Sequence, residues 1–196
     1  MSRYLVSVLL LCAVAPLARA ATISVRVTGP SGAAMPDAVV WAVPVGRDVP
    51  PPDRTAVMDQ KNRMFVPRVL PVQAGTAVSF PNSDNIRHQV YSFSSPKTFQ
   101  LPLYAGTPAK PLVFDKPGIV VLGCNIHDRM IAYIVVVDSP WFGKSDSGGA
   151  LELKDLREGE YRLFGWHEGM RSPVVLQPLT VAANERRTLA VQLPPR

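Results

Sequence analysis

Hydrophobic and polar positions alternate from residue 22 to 27: Ile23, Val25 and Val27 face one way, Ser24 and Arg26 the other. A period of two predicts a half-buried strand. Gly29-Pro30-Ser31-Gly32 follows as a turn, and residues 38–43 as a second, wholly apolar strand. Runs rich in β-branched and aromatic residues at 64–72, 76–80, 89–93, 112–114, 119–122 and 130–137 are bounded by Gly, Pro or Asn and predict further strands. Residues 49–53, with three consecutive prolines, read as a linker, and 141–149, with Gly and Ser, as a loop. Strands at 150–156, 159–166 and 188–193 close the series. Short strands at this spacing build sandwiches or barrels, so the expected fold class is all-β.

The first twenty residues have a different pattern. A positive start (Arg3) precedes an uncharged apolar run over 5–17, and Ala18-Arg19-Ala20 places small residues where a signal peptidase reads them. The run is too short to span a bilayer comfortably, and no later stretch is long and uncharged enough. Residues 1–20 are therefore expected to be a cleaved signal peptide, and the product a periplasmic protein without a membrane anchor. Cys12 does not read as a lipidation site, because Leu11 precedes it and the apolar run continues past it.

Composition narrows the function. Twenty prolines spread along 196 residues exclude long helices. Charged residues make up 18%, too few for a disordered chain or a coiled coil. Arg3 and Arg19 leave with the leader, so 19 basic and 15 acidic residues remain, a net charge of +4. The basic residues are scattered, without the basic-aromatic interleaving of a nucleic-acid surface. Three histidines are too few for chemistry that needs many imidazoles. Once Cys12 is removed, Cys124 has no cysteine to pair with in a compartment where thiols usually pair, so it is inert, intermolecularly bridged or a metal ligand.

One constellation speaks for metal. Cys124, His127 and Met130 lie at intervals of three in one short stretch between predicted strands, and His88 belongs to a separate loop. Two imidazoles, a thiolate and a weak axial thioether form the donor set of a blue-copper electron-transfer site. Singly, each residue reads more simply as a core or hydrogen-bonded side chain. Zinc is a weaker alternative, since a thioether suits it poorly. A Cys124–His127 nucleophile is a further one, but it leaves Met130 without a role.

The surrounding residues resemble the cupredoxin family. Phe80-Pro81-Asn82-Ser83-Asp84 followed by His88-Gln89-Val90 is similar to the segment carrying the first histidine ligand. Phe114-Asp115-Lys116-Pro117-Gly118, leading through Val120 and Leu122 to Cys124, is similar to the strand entering the ligand loop. The loop spacing resembles that of amicyanins, and the wider stretch resembles exported proteins of the methylamine utilization type. Gln89 stands where plastocyanin-like proteins commonly have Asn. The resemblance implies one type 1 copper ion held by His88, Cys124, His127 and Met130. It also implies that Asn82 hydrogen-bonds across the ligand loops. Asp84 reads only as a turn residue, and Arg87 and Arg129 as solvated loop charges.

Residues 21–48 and 139–196 together resemble a carboxypeptidase regulatory-like β-sandwich. The resemblance lies in Val25-Arg26-Val27-Thr28-Gly29, Ala38-Val39-Val40-Trp41 and Gly159-Glu160-Tyr161-Arg162-Leu163. A cupredoxin unit over 55–138 is then expected to be inserted between its second and third strands, since insertion is easy where loop ends are close. Two side-by-side domains are the alternative. His167 is expected at a surface or between the units, and not as a ligand. The expected function is single-electron transfer between redox partner proteins, by a monomer and without enzymatic activity. Copper storage or delivery is the alternative. A multicopper oxidase would need more histidines than His167 can supply.

Overall fold

In the computed structural model, residues 20–53, 55–108 and 110–195 are described; the predicted leader lies outside them but for Ala20. The chain is all-β. Its strands run β1 Ala21–Thr28, β2 Val39–Pro44, β3 Thr55–Val57, β4 Asp59–Lys61, β5 Met64–Val66, β6 Val69–Gln73, β7 Thr76–Ser79, β8 His88–Ser92 and β9 Phe99–Tyr104. They continue with β10 Leu112–Phe114, β11 Gly118–Leu122, β12 Ala132–Val137, β13 Phe142–Lys144, β14 Ala150–Leu156, β15 Gly159–Trp166, β16 Val174–Val181 and β17 Arg186–Gln192. No described helix is long and apolar enough to cross a membrane.

The first and last strands fold together. β1 lies between β14, antiparallel, and β17, parallel. A second sheet runs β13-β2-β15-β16. The two sheets enclose one core: Ile23, Val25 and Val27 from β1 meet Val40, Ala42, Leu153, Tyr161 and Leu163. The alternation seen at 22–27 is the inward and outward face of β1.

The intervening chain builds another core around Met58, Phe80, Val90, Phe114, Leu122, Ile134 and Val136. Its sheets are β10-β7-β3, β11-β12-β6, β4-β5 and β8-β9. β12 pairs antiparallel with β11 and parallel with β6.

Two strands explain how the cores join. Along β2, Val40 and Ala42 enter the first core, while Val39 and Trp41 point the opposite way. Along β12, Ile134 and Val136 enter the second core, while Val135 and Val137 point away from it. Those outward faces meet each other, with Val69 and Trp166, in a third apolar cluster. Trp41 stacks on Phe164 at 5.5 Å, and Tyr133 lies 5.3 Å from Trp166. A strand buried on both faces must be apolar at consecutive positions, which is why β2 and the end of β12 show no alternation.

Several elements depart from the sequence reading. The expected 64–72 strand is two, β5 and β6, separated around Pro67, which has no N–H for a ladder. β13 lies inside the expected loop 141–149, and β3, β4, β9 and β16 fall outside the strands that the sequence pattern predicts.

Candidate metal centre

His88 opens β8 and is fully buried. Cys124, 4% exposed, and Met130, 1% exposed, bracket the loop from β11 to β12, with the half-buried His127 between them. β8 and this loop are joined directly: Tyr91 and Gly123 exchange two backbone hydrogen bonds, both 3.0 Å. The strand that carries His88 is thereby locked to the residue preceding Cys124. Position 123 favours glycine, because a Cβ would come within 2.6 Å of the Tyr91 ring and force it to shift. Farther along the loop, the Met130 N–H donates to the His127 carbonyl at 2.9 Å, closing a turn.

The side chains converge. Cys124 Sγ lies 4.0 Å from His88 Nδ1, and the two imidazole rings are 5.2 Å apart between centroids. One donor atom each from His88, Cys124 and His127 lies within 4.8 Å of the others. Two donors sharing an ion, each about 2.0–2.3 Å from it, are separated by no more than about 4.6 Å, so a pair at the 4.8 Å limit has to close by a few tenths of an ångström on binding. His127 Nδ1 is buried with no hydrogen-bond partner. A buried ring nitrogen without a partner carries a desolvation cost of about 1–3 kcal/mol, which a metal bond would remove. Met130 lies in the same apolar cluster as Cys124. Soft sulfur beside imidazole suits copper, and this set fits one type 1 copper ion better than it fits zinc.

The buried His88 is oriented from behind. Its Nε2 lies 2.7 Å from Asp84 Oδ2, so Nε2–H donates to the carboxylate and Nδ1 is left facing Cys124. Asp84 is in turn held by the tip of the β4–β5 hairpin. Its Oδ1 accepts from the Asn62 N–H at 2.6 Å and its Oδ2 from the Arg63 N–H at 2.9 Å. Asn62 and Arg63 have φ of 56° and 58°, the left-handed pair of a tight hairpin turn. Burial works against ionisation of Asp84, but the Arg63 N–H, the His88 ring and the Asn62 N–H outweigh it and hold the carboxyl below its ordinary range. Asp84 is therefore more than the turn residue expected from the sequence. The available signal was an acid four residues before a histidine.

Asn82 differs from expectation as well. Its Nδ2 donates to the carbonyls of Ile86, at 2.8 Å, and Tyr104, at 2.9 Å, and its Oδ1 accepts from the Asp84 N–H. It ties its own loop to β9 and among the described residues makes no hydrogen bond to 124–130. Behind it, Gln60 donates to the Tyr104 hydroxyl, which donates to the Phe80 carbonyl. Arg87 and Arg129 are exposed. His167 lies outside the donor group; its ring nitrogens are 2.9 Å and 3.1 Å from the Glu168 and Pro36 carbonyl oxygens.

No model of a known protein family and no curated protein matches the chain. Parts of it are similar to solved structures. A Cu-containing nitrite reductase from Thermus scotoductus SA-01 is 28% identical over 49% of this chain, with a TM-score of 0.40. This chain spans 25% of the length of that reductase. A purple cupredoxin from Nitrosopumilus maritimus is 20% identical over 43% of this chain and 100% of its own, with a TM-score of 0.37. A reduced mutant of amicyanin is 20% identical over 52% of this chain and 99% of its own, with a TM-score of 0.40.

Proposed function

We propose that this chain is a type 1 copper protein that carries single electrons between redox partner proteins in the periplasm. The observation that carries the reading is the convergence of His88, Cys124 and His127, one donor atom of each within 4.8 Å of the others, with His88 Nδ1 4.0 Å from Cys124 Sγ and His127 Nδ1 buried without a hydrogen-bond partner. His88, Cys124 and His127 would hold the ion, and Met130 would be the weak axial donor. The ion would supply a one-electron Cu(II)/Cu(I) couple. The protein's part is to keep the donors still. β8 and the ligand loop are bonded to each other, Asp84 fixes one ring, and Cys124 and Met130 pack in one buried apolar cluster with Phe80, Leu122 and Ile134. Little then has to move when charge changes, which favours fast electron exchange. His127 is the half-buried donor, and beside it Ile126 is 48% exposed. A partner would approach on that side.

In this reading residues 55–138 form the copper unit, inserted in a β-sandwich made from 21–48 and 139–196. The three converging donors support cycling the ion in place over releasing it for storage or delivery, and a single histidine left over, His167, supports a carrier over an enzyme.

Loading with Cu(II) tests the reading. An intense visible thiolate-to-copper band that bleaches with reductant and returns with oxidant is expected. Cys124→Ser should lose the band and keep the far-ultraviolet signature of the β-fold. A protein that binds Cu(I) and never colours would be a storage or delivery protein instead.

A further inference from the structure

Glu168 and Arg68 join the two cores at a point next to the ligand loop. Glu168 follows β15; Arg68 immediately precedes β6. The Glu168 carboxylate accepts from Arg68 Nε at 2.8 Å and from Arg68 Nη2 at 2.5 Å. Such a planar two-pronged pair fixes direction as well as distance. The remaining nitrogen, Nη1, donates to the Ile131 carbonyl at 3.2 Å. The Arg68 carbonyl accepts from the Tyr133 N–H at 2.9 Å, and the Tyr133 hydroxyl donates to Glu168 at 3.3 Å. One arginine thus fastens the chain on both sides of Ala132, directly after Met130.

The loop that presents Glu168 is itself held. The Met170 N–H donates to the His167 carbonyl, and Trp166 Nε1 donates to the Met170 carbonyl, each at 3.0 Å. The Arg68 and Glu168 side chains are 50% and 29% exposed. Half-exposed ion pairs add at most about 1 kcal/mol of stability. What this pair supplies is geometry: the Ile131 carbonyl has a donor whose direction is fixed from the outer core.

We propose that Glu168 and Arg68 are positioning residues for Met130, through which the outer unit sets the approach of the axial thioether and hence the reduction potential. The proposal rests on the copper reading above. A weak axial donor exerts an effect that depends on its approach. Releasing the Ile131 carbonyl would free the loop end that carries Met130 and weaken the thioether's hold on a bound ion. Cu(II), which gains more from the extra donor than Cu(I), is then disfavoured and the potential rises.

The test is the double variant Arg68→Met/Glu168→Gln, which removes the tether without changing net charge. Arg187→Met/Glu185→Gln, breaking a pair at the start of β17, is the control. In copper-loaded protein the Arg68/Glu168 variant should show a higher potential and a changed ratio of the thiolate-to-copper bands, and the control neither. In metal-free protein the Ile131 and Tyr133 amides should exchange with solvent faster than in the wild type. A blue wild type with a blue variant of unchanged potential and spectrum overturns the proposal, whatever the exchange shows. If the wild type never turns blue, the copper reading itself has failed, and unchanged amide exchange then overturns the tether too.

Discussion

Asp84 and His88 are bonded across four residues, carboxylate oxygen to Nε2 at 2.7 Å, with the histidine fully buried. The bond selects the tautomer in which Nδ1 carries the lone pair toward Cys124. Asp84→Ala removes the acceptor and frees the ring to rotate. Such supporting partners are typically worth about 10–100-fold in metal affinity. We expect a loss of that size for Asp84→Ala in a chelator-competition titration, and a smaller loss for Asp84→Asn, which keeps an acceptor oxygen. Wild-type affinity in both variants would show that the bond does not orient the ligand.

Gly123 and Tyr91 make the second demand of the ligand region. Gly123→Ala places a Cβ 2.6 Å from the Tyr91 ring, which must swing aside and leave its contact with Phe93, 5.2 Å away. Overpacking of this kind costs about 1–3 kcal/mol. The clash is with one side chain, so Tyr91→Ala should remove most of the added penalty. Urea denaturation of both single variants and the double variant closes the cycle. Additive losses would show that the alanine disturbs the Tyr91–Gly123 backbone bonds instead of the ring.

The loop of the candidate centre could be read from the chain because Cys124, His127 and Met130 lie within one turn-sized stretch, and the structure brings Cys124 and His127 beside His88. The supports could not be read. Asp84 depends on the Asn62 and Arg63 amides of a hairpin whose strands have three residues each, too short for alternation to register. β9 and β16 contain Pro102 and Pro178, residues that argue against a strand. Both strands lie at the end of their sheets, where proline is tolerated because one side of the strand has no ladder partner. β2 and β12 read correctly as apolar strands, but a buried run does not reveal that its two faces serve different cores.

Tyr104 gives a pH signature. Burial above all pushes its phenol up to about 12, from an ordinary value of 10.0. Between those values the native state keeps a proton that the unfolded chain has lost. The native state's advantage is therefore complete below about pH 10 and drains away as pH rises toward 12. Tyr104→Phe cannot show this slope, although at neutral pH it loses the bonds to Gln60 and Phe80 and about 1 kcal/mol. The difference between wild-type and variant urea midpoints should shrink across that interval. A constant difference would mean that the phenol ionises alike in both states.

The third apolar cluster sets how the two cores unfold. Trp166 is fully buried there and touches Tyr133 of β12. A ligand that binds only the native state stabilises it by about 4 kcal/mol at a thousand times its dissociation constant. Through the shared cluster that gain should reach strands far from the metal, so copper should raise a single thermal transition seen alike by every probe. Trp166→Ala leaves a cavity in the seam and should cost about 3–5 kcal/mol. It should also divide the transition, with copper raising only the part that contains His88 and Cys124. Calorimetry with and without copper distinguishes the cases. Two transitions in the wild type would show that the seam between Val135 and Val39 does not couple the cores, and one transition in Trp166→Ala that the remaining contacts suffice.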